Sequence, residues 1–406
     1  MNPKTISKLP VKFITWLSAM IFVLILAHIT NDNPQTIGKW ISPAKKLLNL
    51  DAPLDNWYGP TAAILMMPFS FMSPDYLFLV TLFYFVLGSI FYYQLVEGFL
   101  VNRFLNYIGL IIPFLNPYLF RLIDSSPDTV FEFFLLTLLM WAVVKNKHIL
   151  FVVAGIGLSE LRSGYWILTL LLALIIPIRC RTKRSAISLM IFPSLLTILI
   201  INFFLYGIFA PASEGARTAY FSNNKYAYLL ESTYQIDHFF DGDNGPMRTN
   251  CQNDLACKEN LLIDVRNNKQ ETIFSLLNKF DTYFFSVQKV PRLPGWFELD
   301  TKSSVIKIGE SNLSWNSTAA SILYFFYKSI LHISTVICIF LLIFNFSTRE
   351  RKNIKLKWLA LPWLIGSIPA VLFFAETRVW IVSELLLVPF LLETFQQYAN
   401  KNKAGR

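Results

Sequence analysis

The sequence predicts an all-α polytopic membrane protein, and three observations carry that expectation. Apolar runs recur from end to end, and many reach the ~20 residues needed to cross a bilayer. Of 406 residues, 54% are hydrophobic and only 15% charged, against roughly a quarter charged in soluble domains. The basic residues sit in short clusters between apolar runs, the pattern of loops held on the cytoplasmic side. That distribution turns the net charge of +10 away from nucleic acid and toward a lipid bilayer.

About ten spans follow from the apolar pattern, near 13–30, 76–97, 104–122, 129–145, 148–162, 164–178, 186–208, 325–346, 358–375 and 380–397. The first run lacks a small-residue cleavage site and reads as a span rather than a cleaved leader. Five basic clusters then fall on one face: Lys4/Lys8/Lys12, Lys145/Lys147, Arg179 to Arg184, Arg349 to Lys357, and Lys401/Lys403/Arg406. The expected setting is the cell's inner (plasma) membrane, crossed many times, with both termini cytoplasmic.

One apolar stretch, TAAILMMPFSFM at 61–72, does not fit as a span. It is short, it lies between Pro60 and Pro74, and counting it would send the KNK and RCRTKR clusters outside. It is therefore placed in the first extracytoplasmic loop, 31–75, as a surface helix. The preceding IGKWISPAKKLLNL mixes apolar residues with lysines and reads as a second interfacial helix. A large extracytoplasmic loop, 209–317, separates an N-terminal transmembrane region, 1–208, from a C-terminal one, 318–406. It carries Cys251 and Cys257, close enough in sequence for a disulfide outside the cell, with unpaired thiols as the other reading. Within it QETIFSLLNKFDTYFF has helical apolar spacing.

Ionisable residues gather at one level of this topology. Asp32 follows the first span; Asp124 and Asp128 lie between the third and fourth. Glu160 and Arg162 join the fifth to the sixth, Glu376 and Arg378 the ninth to the tenth, and Lys328 opens the eighth with His332 one turn deeper. Charges at such short connections are costly unless paired or facing a polar cavity. Two readings stay open. Acids and bases from separate hairpins at one depth line a polar cavity, or each pair (Glu160 with Arg162, Glu376 with Arg378) caps its own hairpin. His28 and His148 show no partner pattern. The acidic stretch around His238 (Asp237, Asp241, Asp243) lacks metal-ligand spacing and reads as a solvated turn. No HExxH, GxSxG or phosphate-cradling glycine loop is present. Sequons at Asn312 and Asn316 matter only in a secretory-pathway host.

The order of these features resembles the GT-C superfamily of membrane glycosyltransferases, which use sugars carried on polyprenyl phosphate or diphosphate. The resemblance rests on Asp32 in ITNDNPQT, then NWYGPTAAILMMPF at 56–69. AGIGLSELRSGYWILTLLLALIIP supplies an arginine-bearing span pair with Arg162. IPAVLFFAETRVWIVSELLLVPFLL supplies the last hairpin with Arg378. It covers most of the spans, while 209–317 matches nothing in the pattern.

The resemblance implies a glycosyltransferase with a polyprenyl-phosphate-linked sugar donor and a glycan, lipid or protein acceptor. Asp32 would be the catalytic base, and Arg162, Arg378 and Lys328 would hold the leaving phosphate. Asp124 and Asp128 would position the acceptor or the base, with Glu160 and Glu376 in the same lining. The family often carries two acids in the first loop, whereas here Asp32 stands between Asn31 and Asn33. No cofactor is certain; were a divalent cation used (magnesium or manganese), Asp32, Asp124 and Asp128 would be its ligands. The other readings are an O-antigen-type polysaccharide polymerase and, outside enzymes, a lipid-linked saccharide flippase or transporter.

Overall fold

The computed structural model describes residues 11–29, 41–49, 60–73, 78–100, 102–111, 127–162, 164–180, 182–206, 254–284, 298–300, 305–308, 311–316, 330–337, 359–367 and 382–404, with single positions at 76, 113, 220 and 223. Regular structure is helical apart from a small sheet. In chain order the helices are α1 (Val11–Ile29), α2 (Ile41–Leu48), α3 (Pro60–Met66), α4 (Phe78–Phe99), α5 (Arg103–Ile111), α6 (Pro127–Val144), α7 (His148–Leu161), α8 (Tyr165–Cys180), α9 (Ile191–Tyr206), α10 (Asp254–Asn267) and α11 (Lys269–Phe284). They continue with α12 (330–337), α13 (359–367) and α14 (Leu387–Ala404). Helices 78–98, 127–144 and, counting its 3₁₀ entry, 183–201 are long and apolar enough to cross a membrane.

The core is the α4–α6–α7 layer. Two glycines set its spacing. A Cβ on Gly88 would lie 2.7 Å from Phe133 Cδ1 and 3.2 Å from Phe134 Cα, so α4 and α6 touch nearly backbone to backbone. Around that contact aromatic rings interlock: Tyr84 meets Phe131 edge-on at 5.1 Å, and Phe85 lies 5.7 Å from Phe133. A Cβ on Gly157 would lie 3.4 Å from Leu135, which fixes the register of α6 against α7.

The α6–α7 turn follows from Lys145-Asn146-Lys147. Asn146 takes φ 55°, the left-handed conformation that asparagine tolerates better than most residues. The Lys147 N–H bonds the Ala142 carbonyl at 2.8 Å and the Asn146 N–H the Val143 carbonyl at 3.3 Å. This is a Schellman stop, which satisfies carbonyls that the helix end would leave orphaned. At the same end of the hairpin pair, Thr182 accepts from the Ser185 N–H and caps a 3₁₀ segment, Lys183–Met190, leading into α9.

Both stretches expected as helices of the first loop are helical. The Tyr84 hydroxyl donates to the Leu65 carbonyl at 2.7 Å, and Thr61 Cγ2 sits 3.4 Å from the Gly157 position. Helix α3 is thus clamped between α4 and α7. At the other end of the chain the Tyr92 hydroxyl reaches the Gly109 carbonyl at 2.7 Å and the Leu385 carbonyl at 3.3 Å, tying α4 and α5 to the segment before α14.

In the large loop α10 and α11 are joined through Asn268. A three-stranded antiparallel sheet follows, β1 (Glu298–Asp300), β2 (Val305–Ile308) and β3 (Ser311–Asn316), in the order β1-β2-β3. The sequence predicts no strands; among the described residues β1 to β3 depart from that all-helical expectation, in the loop that matched no pattern. The expected span 104–122 is described as helix over Arg103–Ile111.

A buried carboxylate–arginine cluster as the candidate functional site

Asp128 and Glu132 stand four residues apart in the first turns of α6, hence on one face of the helix. Asp128 lies where a helix N-terminus favours negative charge. Arg162 caps α7 in an extended conformation (φ −143°, ψ 103°), which carries its side chain off the helix and across to α6. Its Nη2 meets Asp128 Oδ2 at 2.5 Å and its Nε meets Glu132 Oε2 at 3.2 Å. Tyr165, the first residue of α8, donates its hydroxyl to the other Glu132 oxygen at 2.6 Å. Asp128 and Glu132 are buried, and the arginine side chain is 19% exposed.

A carboxylate in such a place needs this much compensation, because an unpaired buried charge costs several kcal/mol. The guanidinium forks between two acids and still has Nη1 for a further acceptor, since an arginine carries five N–H donors in all. Behind the fork, Ser159 and Thr169 hydroxyls meet at 2.9 Å across the α7–α8 hairpin. The Trp166 indole N–H donates to the Ser159 carbonyl at 3.1 Å. These bonds fasten together the two helices that flank the arginine.

Glu160 completes the layer. Gly157 faces Leu135, and three more residues along each antiparallel helix bring Glu160 level with Glu132. The Glu160 side chain is buried, and among the described residues its Oε1 meets no hydrogen-bond partner. Arg162 thus pairs with α6 rather than with Glu160 two residues before it, which removes the local-cap reading for this hairpin.

A second buried pair lies in the C-terminal region. His332 on α12 and Glu384, three residues before α14, approach at 3.0 Å (Nε2 to Oε1), and the His332 ring stacks obliquely on Trp363 of α13 at 5.3 Å. Asp32, Asp124, Lys328, Glu376, Arg378 and Cys251 lie outside the described residues. Cys257 is buried and disulfide-bonded. Among the described residues no group of three or more His, Cys, Asp or Glu is placed to hold a metal ion.

Of the expected residues, the structure brings Asp128 and Arg162 together and sets Glu160 at the same level. Sequence reasoning missed Glu132, Tyr165 and Glu384. The signal was there for the two glutamates: each interrupts an apolar run (TVFEFFLL, IVSELLLV), and an ionisable residue inside such a run is functional or paired by default. No family model matches this chain, and comparison with curated proteins and with solved structures finds no match either.

Proposed function

We propose that this chain is a membrane glycosyltransferase of the GT-C type with about ten spans. It would move a sugar from a polyprenyl-phosphate donor to an envelope glycan, lipid or protein acceptor on the extracytoplasmic side. The observation that supports this most is the Asp128–Arg162–Glu132–Tyr165 cluster, a fixed arginine at the end of apolar hairpins with one guanidinium nitrogen left for an incoming oxyanion.

The chemistry asks for such a layer. The acceptor oxygen bonds to the anomeric carbon, and the bond from that carbon to the donor phosphate oxygen breaks. The phosphate leaves with the electron pair, while a base takes the hydroxyl proton. Asp32 is assigned as that base, with Arg378 and Lys328 beside Arg162 at the phosphate, where developing negative charge is stabilised. Asp124, Glu160 and Glu376 line the acceptor side. Asp128 holds the arginine in place.

The deciding experiment is mass analysis of surface glycans in a deletion strain complemented with wild type, Asp32→Asn or Arg378→Ala at matched membrane levels. Loss of one sugar, restored by wild type and by neither variant, supports the transferase. Glycans shortened to single repeat units point instead to a polymerase.

One observation favours a second reading. The His332–Glu384 pair is buried within apolar helices, where proton-coupled transporters place titratable groups. A transporter would leave a lipid-linked intermediate on the cytoplasmic side in the deletion strain, with the sugar already attached.

A further inference from the structure

Helix α11 is inside out for a water-soluble element. Ile273, Phe274, Leu277 and Phe280 recur at helical spacing and form one apolar stripe, and each is between 44% and 58% exposed. The buried positions are polar: Ser275 at 3% and Lys279 at 7% exposure, four residues apart on another face. The Lys279 ammonium donates to Asn223 Oδ1 at 2.6 Å, so the polar stripe is the one fastened to the rest of the loop. On α10, joined to it through Asn268, Leu262 and Ile263 are exposed as well.

We infer that the apolar stripe of α11 lies in the bilayer, at the boundary between headgroups and acyl chains, so that the large loop is seated on the membrane surface. Two features choose lipid as the occupant. The loop follows directly on α9, which with its 3₁₀ entry is long and apolar enough to cross a membrane, so a membrane crossed by α9 is within reach of the loop. The stripe is about a third of the helix circumference, the width that an interfacial helix presents to lipid. None of this depends on what reaction the chain performs.

The test uses the full chain in vesicles of phosphatidylethanolamine and phosphatidylglycerol. Leu277→Cys, Ile273→Cys and Lys258→Cys each carry a solvatochromic label, with the wild-type chain as labelling blank. The inference expects the labels at 277 and 273 to shift to the blue and to lose most of their emission to doxyl-labelled acyl chains, with little loss to iodide. The label at 258 should show the reverse. Iodide quenching at all three positions would place the stripe in water and overturn the inference. Shielding of 273 and 277 from both quenchers would mean that protein, a second copy or another segment, covers the stripe, and would overturn it equally.

Discussion

Glu132 has both carboxylate oxygens occupied, one by Arg162 and one by Tyr165, and it is fully buried. Removing the tyrosine hydroxyl takes one hydrogen bond from a buried charged acceptor. Tyr165→Phe should therefore cost about 1.5–3 kcal/mol in thermal or denaturant unfolding of the detergent-solubilised protein. Arg162→Ala strands two buried carboxylates and should cost more, about 3–5 kcal/mol. Glu160 should behave in the opposite way. Its buried, unpartnered Oε1 is a liability to the fold, so Glu160→Met should raise stability by about 1–3 kcal/mol. Under the proposed transferase function the same variant lowers glycan transfer, and unchanged transfer assigns the acid a purely structural part. Lys279 adds a pH dependence. Burial pushes its ammonium down to about 7, whereas an unfolded lysine titrates near 10.4. Between those values the unfolded chain holds the extra proton, so the α10–α11 unit gains stability as pH rises from about 7 to about 10, and below 7 the dependence levels off. Hydrogen exchange in α11 across that range measures it, and Lys279→Met should flatten the trend. Arg162 and Asp128 were legible as residues of interest because they stand in short polar breaks between apolar runs. Their partnership was not, since it depends on how α6 and α7 are rotated about their axes.

At the scale of elements, the hairpin turns were the most legible feature. KNK between two apolar runs marks a tight basic turn, and Asn146 supplies the left-handed residue that ends α6. Asn146→Gly should be nearly neutral, and Asn146→Val should lose about 1–2 kcal/mol, because a β-branched residue resists that conformation. The stability difference between the two variants isolates the backbone term. The α4–α6 contact was not legible. Nothing in GSIFYYQ says that Gly88 meets the ring of Phe133 rather than lipid, because an apolar sequence reads alike on both sides. The two helices of the first loop, by contrast, followed from a stretch too short to span and a lysine-bearing segment before it.

Among the described residues the Tyr92 hydroxyl joins distant parts of the chain, reaching carbonyls of Gly109 and Leu385. The direction in which each hairpin points was read from basic clusters alone. A reporter fused within 205–215 should therefore be found outside the cell, and one fused after Lys183 inside; the reverse would dismantle the site as assigned. Small packing choices were beyond the sequence, because the same apolar residues serve neighbours and lipid equally well. The Tyr92–Leu385 contact also has a meaning in time. The two residues are 293 positions apart, so at ~5–20 residues per second the ribosome needs ~15–60 s to deliver the second after the first. For that interval the flank of α4 and α5 that α14 will cover is still bare. A chain that stops before residue 358 never receives its cover, and it should be cleared by membrane proteases while the full-length chain, once closed, persists.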